Sequence, residues 1–168
     1  MNRSGAIKHR QPSALRPFAA MVALALMLTL WACGGPQERK AQYRAKAQDY
    51  IQAGNFPKAR VALRNVLKID PKDADAYFLV AQVEEKEKNW RNAVANYQQV
   101  VDIVPDHREA LLTLAKYYLE AKLTDEVKRA ADKVLANTPQ DPQAEALKIA
   151  ILAQQDQISQ ALARAEDL

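Results

Sequence analysis

The 168-residue chain is poor in glycine, with four, and in aromatic residues, at 7%, and it has one cysteine and two histidines. A single cysteine builds neither a disulfide framework nor a cysteine-rich zinc site. Four glycines are too few for phosphate-cradling loops or a series of tight β-hairpin turns. Ala, Leu, Lys, Gln and Glu are what the chain has in plenty, and these are the residues helices favour. The length suits one domain with a real core, so the composition points to an all-α fold.

Catalytic patterns are missing as well. No His-Glu-x-x-His, Gly-x-Ser-x-Gly, Gly-x-Gly-x-x-Gly or phosphate-binding loop occurs. After Cys33 the only histidine is His107, at a loop position where a helix-end role is expected rather than that of a ligand or base. Glu84-Glu85-Lys86-Glu87-Lys88 alternates in sign and reads as a solvated helix face with local ion pairs. The expectation is a protein that is not an enzyme, with no cofactor, no metal and no small-molecule substrate.

The formal charge of +4 would suit a nucleic-acid or anionic-surface partner. Its location removes that reading. Arg3, Lys8, Arg10 and Arg16 precede residue 33 and no acid does, so residues 33–168 hold equal numbers of acids and bases. No nucleic-acid partner is expected.

Those four bases are followed by an uncharged stretch from Pro17 to Ala32. As a helix it would rise about 24 Å, short of the roughly 30 Å hydrocarbon thickness. A basic region and then a short apolar one make residues 1–32 a signal segment. It ends Leu30-Trp31-Ala32-Cys33-Gly34-Gly35, which resembles the lipobox of bacterial lipoproteins. Leu30, Ala32 and Cys33 fit that pattern, whereas Trp31 replaces its usual small or aliphatic residue. The resemblance implies lipidation of Cys33, a short tether over 33–39 and, with Gly34 after the cysteine, an outer-membrane anchor facing the periplasm. The alternative is an uncleaved signal anchor in the inner membrane.

Pro71, Pro105 and Pro139 stand 34 residues apart, each closing an apolar helical pattern. They divide the chain into repeats 40–73, 74–107 and 108–141 and a partial one, 142–168. Small residues recur at position 8 (Ala47, Ala81, Ala115) and at position 20 (Ala59, Ala93, Val127); bulkier ones recur at position 27 (Val66, Val100, Val134). Helices are expected over about 37–53, 57–69, 74–87, 90–103, 108–121, 125–137, 142–154 and 157–167. Gly54, Asn89 and Thr124 are expected to punctuate the turns within hairpins.

The pattern resembles the tetratricopeptide repeat, with an aromatic or large residue at position 4 (Tyr43, Tyr77, Leu111) and proline at 32. The resemblance implies an α-solenoid of about four helix-turn-helix hairpins over 40–168, the last incomplete. It also implies a groove that takes a protein or peptide partner. Carried over position by position, the groove would include Arg44, Gln48, Phe78, Gln82, Glu85, Leu112, Lys116 and Leu119. Phe78, Leu112 and Leu119 would be apolar anchors on a water-facing surface. The carboxylate clamp known in some such domains is not reproduced, since Arg44, Gln48, Leu79, Glu109 and Thr113 stand at its positions.

Leader and repeats together are similar to tetratricopeptide repeat lipoproteins of exopolysaccharide and PEP-CTERM sorting systems. The function these features imply is a membrane-anchored periplasmic scaffold in envelope assembly, secretion or polymer export. The alternatives are a pilotin-like or outer-membrane-assembly lipoprotein and an inner-membrane subunit of an enzyme complex.

Overall fold

The structure, a computed structural model, describes residues 35–166. The signal segment 1–32 and Cys33 lie outside the described residues. Eight helices and no strand occur among the described residues: α1 (Pro36–Gln52), α2 (Phe56–Ile69), α3 (Ala74–Lys86), α4 (Trp90–Ile103), α5 (Arg108–Glu120), α6 (Thr124–Asn137), α7 (Pro142–Gln154) and α8 (Ile158–Glu166). Every boundary falls within one residue of its expected place, and α1 begins inside the stretch read as a tether. The fold is all-α, a solenoid of helical hairpins. None of the described helices is long and apolar enough to cross a membrane.

The turn within each hairpin is built the same way four times. Gly54, Lys88, Lys122 and Asp156, spaced by 34 residues, all adopt positive φ, between 56° and 68°. The N–H of each bonds a carbonyl three residues back, and the next N–H bonds a carbonyl five residues back, as in Asn55 to Tyr50 and Leu123 to Tyr118, both at 2.8 Å. This is the Schellman arrangement, which satisfies the last carbonyls of a helix. Asn55 then caps α2 by accepting the Lys58 N–H, and Pro57 occupies its first turn. Asn89 was expected to act likewise, but its side chain makes no capping bond and donates instead to Glu84 Oε2 at 3.0 Å. Thr124 opens α6 as a helical residue, so the cap is Leu123, without a side-chain bond.

The junctions between hairpins also repeat. Asp73, His107 and Asp141 are the caps of α3, α5 and α7, accepting backbone N–H groups of the turn they open. His107 fills the helix-end role expected of it, with Nδ1 accepting the Ala110 N–H at 3.3 Å.

Packing follows the register. Ala47, Ala81, Ala115, Ala59, Ala93 and Val127 have no exposed surface, so paired helices approach closely at these points. Leu63, Tyr97, Val66 and Val100 fill the seams beside them. Helix α3 joins two core clusters, giving Ala76 and Val83 to the one built on α1 and α2 and Ala81 to the one that runs through α4 to α7. Each hairpin thus buries its apolar stripe against the next, which an isolated hairpin cannot do.

The acidic run at the end of α3 is not the solvated face expected. Glu84 is buried; it accepts from Arg60 Nε on α2 at 2.9 Å and from Asn89. Arg60 also pairs with Glu87. Burial pushes the Glu84 carboxyl up, and the bonds from Arg60 and Asn89 outweigh this and leave it below the usual carboxylate range. A carboxylate enclosed this way needs such partners.

Candidate functional site

First helices of neighbouring hairpins lie side by side: α5 packs on α7, and Gln154 Nε2 donates to the Leu119 carbonyl at 3.1 Å. The residues expected to face a partner from these helices separate into three groups.

The first group is taken up by the junctions. Arg44 bonds Asp73 and Asp75, both at 2.6 Å, while Lys40 reaches Asp70 at 2.8 Å and Asp73 at 3.0 Å. Phe78 occupies the same repeat position as Arg44, and its ring stands 5.0 Å from that of the cap His107 and 5.5 Å, edge to face, from Tyr97. Leu112, the third residue at this position, is 2% exposed within the larger core. Leu119 is half-buried against the same core. Leu112 is therefore not an anchor on a water-facing surface, while Phe78 and Leu119 keep part of their surface open. Position 5 of a repeat lies beside the next helix start, and whatever stands there is drawn into the junction.

Gln48 on α1 and Gln82 on α3 form the second group; the first is exposed and the second half-exposed.

Glu85 and Lys116 form the third, and here residues from separate elements converge. With Trp90, Thr113, Tyr117 and Glu120 they line a hollow of about 440 Å³ between α3, the start of α4 and α5. Glu85 is fixed from both sides: the Tyr97 hydroxyl donates to its Oε2 at 2.8 Å and the Tyr117 hydroxyl to its Oε1 at 2.5 Å. Burial, and then these bonds to Glu85, push both phenols well above their ordinary range. Trp90 is 51% exposed, its ring centroid 6.3 Å from that of Tyr117 at 48°. The hollow thus offers two aromatic surfaces, a carboxylate locked in place, a second acid and one lysine.

Trp90 and Tyr117 were missing from the expected site. The available signal was Trp90 itself, a large aromatic at the start of a helix where the third repeat has only Thr124. Among the described residues no group of three His, Cys, Asp or Glu is placed to hold a metal.

Comparison with known proteins bears on these features. Family models of the tetratricopeptide repeat match residues 44–107 and 84–151. Over 76 residues the chain is 34% identical to the type IV pilus assembly protein PilF of Pseudomonas aeruginosa, a stretch that makes up 45% of this chain and 29% of that protein. The chain therefore matches less than a third of that relative's length.

Among solved structures, the fold is similar to that of Pseudomonas aeruginosa PilF, with a TM-score of 0.64 and 24% identity over 79% of this chain and 61% of that one. It is also similar to MamA of Desulfovibrio magneticus RS-1, with a TM-score of 0.66 and 19% identity over 80% and 77% of the two chains. The TPR2B domain of yeast Sti1, solved in complex with an Hsp70 peptide, aligns with a TM-score of 0.56 and 18% identity over 71% of this chain and 98% of that one. With its 34-residue period, its stacked hairpins and two family matches that together run from residue 44 to 151, the chain belongs to the tetratricopeptide repeat family, whose members mediate protein–protein interactions.

Proposed function

We propose that this protein is a non-catalytic, lipid-anchored scaffold that holds a protein or peptide partner on the first-helix side of its repeats. In this reading residues 1–32 direct export, Cys33 carries the lipid, 33–39 tether the repeat domain 40–168, and the domain faces the periplasm from the outer membrane. Several acyl chains at about 0.8 kcal/mol per buried methylene make a lasting anchor where one chain would not. The observation that carries the partner-binding part is the hollow between α3 and α5, where Trp90 stays half exposed beside Glu85 and Lys116. A large aromatic left accessible in a concave site is a common anchor for a partner.

The setting is envelope assembly, secretion or polymer export. A pilotin-like role in assembling an outer-membrane machine is the second reading, and the 34% identity to a type IV pilus assembly protein favours it.

Two experiments test the proposal. Metabolic acyl labelling with cell fractionation compares the natural chain with Cys33→Ala; the variant is expected to lose label and leave the membrane fraction, and equal labelling removes the lipid anchor. Photo-crosslinking residues placed at Gln82 and Lys116 are expected to trap a partner that the same group at exposed Lys133 on α6 does not trap. Equal trapping at all three removes the binding face.

A further inference from the structure

The hollow between α3 and α5 has a chemical sign. Its six lining residues include two acids, Glu85 and Glu120, and one base, Lys116, so it carries one net negative charge. The two tyrosine hydroxyls use one lone pair on each Glu85 oxygen, and a carboxylate offers about four such positions. Glu85 is thus oriented without being neutralised. Neither Glu85 nor Glu120 belongs to any ion pair among the described residues. The Trp90 and Tyr117 rings, inclined at 48° to each other, line the same hollow as these acids, with the indole half open to solvent.

Aromatic faces attract cations, Trp most strongly, and a planar guanidinium can stack on an indole while its N–H groups reach a carboxylate. An acidic side chain or a terminal carboxylate would meet repulsion in the same place.

We infer that this hollow receives a basic side chain of the bound partner, with arginine preferred over lysine. The inference rests on the scaffold reading for the identity of the ligand as a protein partner. The cation preference itself rests on Glu85, Trp90, Tyr117 and Glu120. Glu120 and Trp90 are exposed, so replacing them leaves the fold in place.

The test uses the full chain in detergent solution, observed by the indole N–H resonance of Trp90, which is assigned by its loss in Trp90→Phe. The probes are acetyl-arginine methylamide, its neutral isostere acetyl-citrulline methylamide and acetyl-lysine methylamide. Arginine is expected to shift the resonance saturably, with citrulline about ten-fold weaker and lysine between them. Glu120→Gln is expected to weaken arginine binding about three-fold and Lys116→Gln to strengthen it by a similar factor, with unchanged thermal midpoints. Citrulline binding as well as arginine, no saturable shift with arginine, or insensitivity to both charge changes overturns the inference.

The two readings fail separately. If a Trp90→Ala/Glu120→Gln chain still crosslinks its partner through positions 82 and 116 in full yield, the scaffold stands and the cation site falls. If arginine is selected over citrulline and no position crosslinks, the cation site stands and the scaffold falls.

Discussion

Arg108 at the start of α5 donates from Nε to Asp141 Oδ2 at 2.5 Å, closing a gap of 33 residues between two successive hairpins. Asp141 is buried and at the same time accepts the Gln143 and Ala144 N–H groups at 3.0 Å. One carboxylate thus starts α7 and fastens it to α5. Asp73 does the same for α3, with Arg44 and Lys40 as partners. At the middle junction Phe78 against His107 replaces the ion pair with ring contact.

Asp141→Ala removes a cap and leaves Arg108 without its partner, and it is expected to cost about 2 kcal/mol in urea unfolding. Arg108 holds the Asp141 carboxyl below its ordinary range, and Glu84 and Asp70 are lowered too. A carboxyl depressed in the folded chain stabilises it above the unfolded pKa, near 4, and that stability is lost as pH falls through the folded value. The urea midpoint is therefore expected to fall from about pH 5 downwards, and less steeply in Asp141→Asn; parallel curves for the two proteins contradict this.

Lys122 adopts a φ of 59°, a left-handed conformation that costs a side-chain-bearing residue roughly 1–2 kcal/mol and glycine little. Glycine returns part of this through the entropy of the unfolded chain. Lys122→Gly is expected to raise stability by about 1 kcal/mol, seen as a higher thermal midpoint. Asp156→Gly should gain less, because aspartate tolerates that conformation better.

Glu84→Gln keeps the shape of the buried side chain and removes its charge. Arg60 and Asn89 then share a neutral acceptor, and the expected loss is about 1 kcal/mol. Glu84→Leu leaves Arg60 with Glu87 alone and should cost more. Chemical denaturation of both variants gives the order, and Leu equal to or better than Gln contradicts it.

Leu112→Ala empties a site in the larger core and is expected to cost about 3 kcal/mol. Exposed Lys116→Ala should change stability by less than about 0.5 kcal/mol. Differential scanning calorimetry separates the two. It also guards against reading a folding defect at Leu112 as a loss of partner binding.

What the sequence made legible was whatever depends on neighbours along the chain. Prolines at 71, 105 and 139 and the small residues at positions 8 and 20 express local sterics, so the hairpin register and its core followed from them. The four left-handed turns were half hidden, since Gly54 announces such a turn and Lys88, Lys122 and Asp156 do not. Glu84 was misread because Arg60, the group that makes its burial tolerable, is 24 residues away on another helix. Phe78 and Leu112 were assigned to the open face because the groups they meet, the cap His107 for Phe78 and the core reaching Ala144 and Leu147 for Leu112, lie about 30 residues further along the chain, where the next hairpin begins. Trp90 and Tyr117 were missed for the same reason, since the hollow they share exists only after α3 and α5 are laid side by side.

The fastenings at Asp73, His107 and Asp141 tie each hairpin only to the one next to it. Under tension such a chain behaves as a row of clips. Pulled from its two ends in an optical trap, the repeat domain is expected to lengthen in steps, one hairpin at a time. Release of the whole domain in a single step would instead show that the junctions act together.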